Sequence, residues 1–382
     1  MIPRQLEVAI LDALQRVPPK VLVLFGPRQV GKTTLLAKVR SGLEGNVRTL
    51  NGDFLDDQAL LRPERGALDR LVQGIQYLFI DEAQNFPDIG RCLKLLHDHH
   101  ETVRVLATGS SSFDLARRTG EPLTGRQQTM LLYPVSYAER SPTIVYSRAV
   151  LESCMIHGSY PEVIELQSAE DKERHLRGLA TDALLKDIFA HVDVNRHKLH
   201  DILRLLAHQI GNEVSLSEVA RTVQVDTKTV ARYCDLLEDA FVIVRLRGFS
   251  RNLRKEVGKS QKVYFMDLGI RNAIIRAFHP LQDRADVGAL WENLMVLERI
   301  KRNSYANVPA EYFFWRTYDR QEIDLIEEAA TSSGMNLRGF EFKWGRSRKQ
   351  VPKLFSQTYP HARVEVVDVL AAHEFLLGAG AS

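Results

Sequence analysis

Three short stretches in the first third of the chain carry residue types that handle phosphate. The first is Gly26-Pro27-Arg28-Gln29-Val30-Gly31-Lys32-Thr33-Thr34, which follows the apolar run from Lys20 to Phe25 and precedes a helical stretch reaching Arg40. Glycines in such a loop let backbone N–H groups curl round a phosphate. Lys32 then reaches the outer phosphates, the Thr33 hydroxyl ligates Mg²⁺, and the following helix turns its positive end toward the same anion. The second stretch, Tyr77-Leu-Phe-Ile-Asp81-Glu82, is an apolar strand ending in two acids. Asp81 would hold Mg²⁺ through water, and Glu82 would orient or deprotonate an attacking water. Alone it reads as a buried strand with a solvated acidic end; behind the phosphate loop it becomes the second half of an ATP-hydrolysing pair, with ATP and Mg²⁺ as the implied cofactors. In the third, a strand from Val103 to Ala107 runs into Thr108-Gly109-Ser110-Ser111. There Thr108, or Ser110 after it, could sense the γ-phosphate; the alternative is a turn built from small polar residues. Arg126 follows, before a segment that alternates through Tyr133 and reads as a hairpin strand. It is either a finger for a neighbouring subunit's ATP or a surface arginine.

A second constellation stands in the last third. Leu290 to Lys301 has helical periodicity, and strand patterns follow at Tyr312 to Arg316, Glu322 to Ile326 and Arg338 to Lys343. Glu341 and Lys343 flank Phe342 on one strand, so they share a face. Asp324 and Glu341 would hold Mg²⁺, with Glu292 in support and Lys343 lowering the cost of forming hydroxide. This set resembles the PD-(D/E)XK nuclease core, although Ile323 stands before Asp324 where the pattern has proline. Two outcomes stay open: metal-dependent cleavage of DNA, or a retained shape that only grips it.

At 382 residues the chain is too long for one growing core, so several domains must position these groups. The reading is α/β throughout. Residues 1–140 form a P-loop core on a parallel sheet, and 141–197 a helical lid built from Leu151 to Ile156 and Glu173 to Phe189. Residues 198–258 form a winged helix-turn-helix, and 259–382 an α/β domain of restriction-endonuclease type. Within the third segment, helical patterns at Lys198 to Ile210, Ser217 to Thr222 and Thr227 to Ala240 suit a helix-turn-helix. Asp226 would cap the last helix, and Thr227, Lys228, Thr229 and Arg232 would project toward a groove. The following stretch gathers Arg245, Arg247, Arg251, Arg254, Lys255, Lys259 and Lys262 against one acid, Glu256. Such a stripe suits a phosphate backbone, with Arg251, Arg254 and Lys255 as its central contacts; otherwise it is a solvated charged loop.

Taken together, these motifs resemble the prokaryotic AAA+ ATPases in which an AAA_14-type P-loop domain precedes the region called DUF4143. The resemblance spans nearly the whole chain. It rests on GPRQVGKTT, FIDEAQ from Phe79 to Gln84, Thr108 to Ser112, Leu123 to Arg126, Tyr133-Pro-Val-Ser136, the lid-turn-like Gly158-Ser-Tyr-Pro161, and Val263-Tyr-Phe-Met-Asp267-Leu-Gly269. It implies an AAA+ fold acting as a homo-oligomer, a hexamer being one such form, with ATP at subunit interfaces. No apolar run approaches the ~20 residues that span a bilayer, and Met1 to Val17 reads as an amphipathic helix, so a cytoplasmic protein is expected, association with the nucleoid being one option. The three cysteines lack metal-ligand spacing, and a net charge of +3 is too mild to establish nucleic-acid binding by itself. The expectation is an ATPase that remodels or translocates on DNA, with or without cleavage. The competing class is a nucleotide-dependent switch that binds a protein partner, such as a toxin or signalling component.

Overall fold

The computed structural model describes residues 2–110, 123, 125–140, 146–191, 194–249, 261–317, 321–331, 334–345 and 351–378. They form two compact units: Met1–Pro134 with Asp239–Phe241, and Val135–Glu238 with Val242–Ser382.

In the first unit the chain runs α1 (Leu6–Gln15), β1 (Val21–Phe25), α2 (Lys32–Ser41), β2 (Val47–Asn51), α3 (Leu55–Leu60), α4 (Arg65–Val72), β3 (Tyr77–Asp81), α5 (Ile89–His99), β4 (Arg104–Gly109) and β5 (Gln127–Leu131). The strands form one parallel sheet in the order β2-β3-β4-β1-β5. A parallel sheet is covered on both faces, which is why β1 is the unbroken apolar run Val-Leu-Val-Leu-Phe and is buried along its length. The register sets Phe25 beside Gly109, Ile80 beside Ala107 and Asn51 beside Asp81, so the chemistry-bearing strand ends collect along one edge. That edge, beyond the carboxyl ends of the strands, is where open α/β sheets bind ligands.

The segment after Arg126 departs from expectation. It is no hairpin strand: β5 lies parallel to β1, pairing Val21 with Gln127 and Phe25 with Leu131. As the outermost strand β5 is only partly covered, none of Gln127 to Leu131 being buried, so it lacks the unbroken apolar run of β1.

In the second unit, helices Arg148–His157, Ala169–Gly178 and Lys186–His191 occupy the region expected to be a lid. Arg196–His208, Leu216–Val223 and Thr227–Asp239 follow as the three expected helices. Seven strands make one sheet: β6 (Glu213–Val214), β7 (Ile243–Gly248), β8 (Gln261–Phe265), β9 (Ala310–Arg316), β10 (Glu322–Thr331), β11 (Gly334–Lys343) and β12 (Arg363–Asp368). Their order is β12-β11-β10-β9-β7-β8-β6. The β7–β8 pair of the winged region is antiparallel, and β7 also pairs in parallel with β9. The border expected between residues 258 and 259 therefore falls between two paired strands of a continuous sheet.

Two motifs far apart in sequence lock together here. Asp267, buried, accepts N–H bonds from Ser159 at 2.6 Å and from Ile270 at 3.1 Å, capping the helix Leu268–Ile275. A Cβ at Gly158 would lie 2.1 Å from an Asp267 carboxylate oxygen, and one at Gly269 would lie 2.2 Å from the His157 carbonyl. The turn at Gly158 to Pro161, whose sequence suggests a lid turn, is thus fixed to the Asp267 cap. Burial raises the Asp267 pKa.

Candidate nucleotide-binding site

The loop between β1 and α2 is shaped by backbone conformations that favour glycine and by close approach. Gln29 and Gly31 take positive φ values of 58° and 97°, and Gly31 leads directly into α2. A Cβ at Gly26 would sit 2.4 Å from the Leu132 carbonyl, so only glycine passes beneath that strand end. Lys32, 6% exposed, donates to the carbonyls of Gly26 at 2.8 Å and Pro27 at 2.9 Å, which holds its ammonium within the curl of the loop. Arg4 clamps the loop from outside, donating to the Val30 carbonyl at 2.9 Å and the Tyr133 carbonyl at 2.5 Å. Of the remaining loop residues, Pro27 and Val30 are buried, Arg28 is half-buried, and Gln29, Thr33 and Thr34 are exposed.

Next to the loop, a hydrogen-bonded chain links α2 with the ends of β3 and β4. Thr33 Oγ1 donates to Asp81 Oδ2 at 2.8 Å, and Thr108 Oγ1 donates to Asp81 Oδ1 at 2.5 Å. The Glu82 N–H donates to Thr108 Oγ1 at 3.2 Å, and Gln84 Nε2 donates to Glu82 Oε2 at 2.5 Å and to Ser110 Oγ at 3.2 Å. Glu82 itself has φ +47°, a left-handed conformation that costs a non-glycine residue energy and is concentrated at functional sites. Mg²⁺ and a nucleotide phosphate fit these donors. A hydroxyl and a carboxylate lie 2.8 Å apart beside a buried ammonium, so Thr33 and Asp81 could hold the ion while Lys32 and the loop meet the phosphates. Thr108, near the end of β4, meets Asp81 and the Glu82 N–H, and Ser110 just beyond it is linked to Glu82 through Gln84. Arg4 and Gln84 had no functional signal of their own in the sequence.

Arg126 lies elsewhere. It precedes β5 at the amino end of the sheet, where its carbonyl accepts from the Val21 N–H at 2.9 Å. The length of β1, about 13 Å at ~3.3 Å per residue, separates it from the loop. Its guanidinium pairs with Asp98 of α5 at 2.8 Å. That bond, with help from His97, holds the Asp98 carboxyl down at about 2.

The second unit brings Glu292, Asp324, Glu341 and Lys343 together, but not as metal ligands. Lys343 pairs with Glu341 at 2.8 Å and stands 3.9 Å from Asp324. Lys262 enters the same cluster, 2.7 Å from Glu292, paired also with Glu322, and 4.0 Å from Asp324. Tyr264 donates to Glu292 at 2.6 Å, and the Phe342 N–H donates to Asp324 at 2.7 Å. Among the described residues no three carboxylate, imidazole or thiol groups converge as metal ligands would. The residues expected to hold Mg²⁺, Glu292, Asp324 and Glu341, are brought together and arranged about two ammonium groups. Burial, reinforced by Glu292 and Glu341, raises the Asp324 pKa.

The basic stripe is also thinner than its sequence suggests. Arg245 is bound by Asp235 at 2.6 Å and Glu238 at 2.5 Å, and Lys262 is buried. Arg251, Arg254 and Lys255 lie outside the described residues. In the helix Thr227–Asp239, Asp226 accepts from the Thr229 N–H at 2.8 Å and its hydroxyl at 2.7 Å; Thr227, Lys228 and Arg232 are exposed.

Residues 18–141 match the family model described as an AAA domain, and residues 287–374 match DUF4143, a domain of unknown function. A third model of unknown function, DUF8612, matches residues 148–280. The uncharacterized protein Rv2008c of Mycobacterium tuberculosis is 31% identical over 87% of this chain and 71% of its own length. The chain belongs to the AAA_14/DUF4143 family. An uncharacterized protein of Haemophilus influenzae is 23% identical over 81% of the chain and 80% of its own length. Among solved structures, the Walker-type ATPase paby2304 of Pyrococcus abyssi superposes with a TM-score of 0.50, at 14% identity, over 72% of this chain and 96% of that one. The likeness extends to fold, so the first unit is a P-loop ATPase fold of the AAA type. No helix among the described residues is long and apolar enough to cross a membrane.

Proposed function

We propose that this protein hydrolyses ATP in its first unit and applies the nucleotide cycle to DNA through its second. The chain Thr33–Asp81–Thr108–Glu82 carries the first half of the reading, because it sets a metal-facing pair beside a carboxylate that can work on water. Lys32 and the loop N–H groups would take the phosphates, and Thr33 and Asp81 would take Mg²⁺, which supplies charge neutralisation when bound. Glu82 would orient the attacking water, and Thr108 keeps Asp81 and the Glu82 backbone in register.

For DNA, the support is the pair of helices Leu216–Val223 and Thr227–Asp239, with Thr227, Lys228 and Arg232 exposed on the early turns of the second. In this reading the second unit grips DNA and does not cut it. Arg126 lies too far from its own loop to serve it, which favours a homo-oligomer in which that edge meets a neighbour's nucleotide. A second reading, a switch on a protein partner, is favoured by Phe54 and Leu55. They are 63% and 78% exposed and follow β2 directly, close to Asp81.

Steady-state ATP hydrolysis with and without single-stranded, duplex and forked DNA, over a salt series, separates the two. Stimulation that fades with salt is expected; hydrolysis indifferent to every DNA, with no DNA bound at low salt, would move the assignment to the protein-partner switch.

A further inference from the structure

The arrangement of charges in the second unit disagrees with the metal-dependent nuclease pattern that its sequence resembles. The decisive residue is Lys262, on β8, whose side chain is 1% exposed. Its ammonium lies 2.7 Å from Glu292 on the helix Val287–Tyr305, pairs with Glu322 on β10, and stands 4.0 Å from Asp324 on the same strand. The Phe314 ring centroid is 5.7 Å away, a cation–π contact in addition to the carboxylates.

A bound Mg²⁺ needs about six oxygens at ~2.0–2.1 Å around one point and keeps several of them as water. Here the point shared by Glu292, Glu322 and Asp324 is taken by a group with three N–H donors that is tethered to the backbone. Further donors hold the same carboxylates: Tyr264 donates to Glu292, the Phe342 N–H to Asp324, and Lys343 to Glu341. A divalent ion at that point would have to displace a buried ammonium, which would leave its charge without partners.

We propose that Lys262 is the resident cation of this core. It pairs with Glu292 and Glu322 and faces Asp324 where a divalent ion would sit, and it joins the β7–β8 hairpin to the C-terminal strands and helix, so the core binds no metal and cuts no DNA. The idea stands independently of whether the protein acts on DNA.

The test uses the full chain carrying Lys32→Ala, without nucleotide, so that the P-loop contributes no metal site. Mn²⁺ is titrated by electron paramagnetic resonance, in parallel with thermal melts. The Lys32→Ala protein should leave Mn²⁺ free up to millimolar concentration and show no shift in Tm. Adding Lys262→Met, which preserves length and removes the charge, should create one saturable Mn²⁺ site, and further addition of Asp324→Asn should abolish it. Saturable binding to the chain with Lys262 intact, lost on Asp324→Asn, would overturn the proposal. So would a folded Lys262→Met protein that binds no Mn²⁺. If Lys262→Met does not fold, the titration with Lys262 intact decides alone: no binding supports the proposal, and binding lost on Asp324→Asn refutes it.

Discussion

Gln84 makes the sharpest prediction about the hydrolytic site. Its side chain is 2% exposed, and its amide donates at 2.5 Å to the carboxylate of Glu82 and at 3.2 Å to Ser110. A hydrogen bond to a charged acceptor contributes about 1.5–3 kcal/mol. If the bond persists while Glu82 works on water, its loss lowers kcat by about 10- to 100-fold, since ~1.4 kcal/mol is a factor of ten. Gln84→Met keeps the volume and flexibility of the side chain and deletes the donor. Because the Gln84 amide is directed at Glu82 and Ser110, kcat should carry the loss while the KM for ATP stays within about threefold, the pattern of an interaction that matters in the transition state. A coupled phosphate-release assay, with melting curves as control, measures both. Wild-type kcat in the Met variant would refute the reasoning. A large rise in KM together with a lowered Tm would make Gln84 a packing residue and nothing more.

Further outcomes follow from the same geometry. Lys32→Ala should abolish ATP binding or turnover, whereas Glu82→Gln should retain labelled ATP on a filter and lower turnover by about 10²- to 10⁴-fold; normal hydrolysis by both would exclude this site. Gly158→Ala should destabilise the second unit by about 3 kcal/mol or more, because the new methyl meets the Asp267 carboxylate at 2.1 Å in a backbone conformation of φ +72°; denaturant titration checks it. His157, stacked on Phe278, is held down at about 4 by burial and by Lys172. Its folded form therefore resists a proton that the unfolded chain accepts near ~6.5. Stability should accordingly be lost as pH falls from about 6.5 to 4, by about 1–2 kcal/mol allowing for partial exposure, and His157→Phe should flatten that part of a Tm-versus-pH profile.

How much of this was legible before the structure depends on how local each determinant is. β1 and β3 could be read directly because a strand buried on both faces must be an apolar run, and because the phosphate loop and the two acids sit where those runs stop. The loop conformation was legible for the same reason, since glycine is required at Gly31 by the backbone itself. Arg4 was not: nothing in its neighbourhood in the sequence says that it will donate to Val30 and to Tyr133, 129 residues away. Gln84 stood inside a recognised motif, yet its role depends on Ser110 arriving from the next strand. The strand after Arg126 was read as part of a hairpin because β5, outermost and only partly covered, lacks the unbroken apolar run of β1.

Charge is the least local property of all, and Lys262 and Arg245 show why. In the sequence both belong to a basic run with one acid nearby, and the run suggests a phosphate backbone as partner. In the fold, Arg245 turns back on Asp235 and Glu238, and Lys262 meets Glu292 thirty residues downstream with Glu322 beyond it. An ammonium already surrounded by carboxylates adds little potential at the surface, so neither residue should contribute to the salt dependence of DNA binding. That dependence offers a direct count: log affinity falls against log salt with a slope of about −0.9 per duplex phosphate neutralised. Lys228→Ala and Arg232→Ala should each flatten the slope by about one unit, whereas Arg245→Gln should leave it unchanged apart from any loss of folded protein. A slope altered by Arg245→Gln in well-folded protein would return that arginine to the DNA-binding surface and undo the argument from internal pairing.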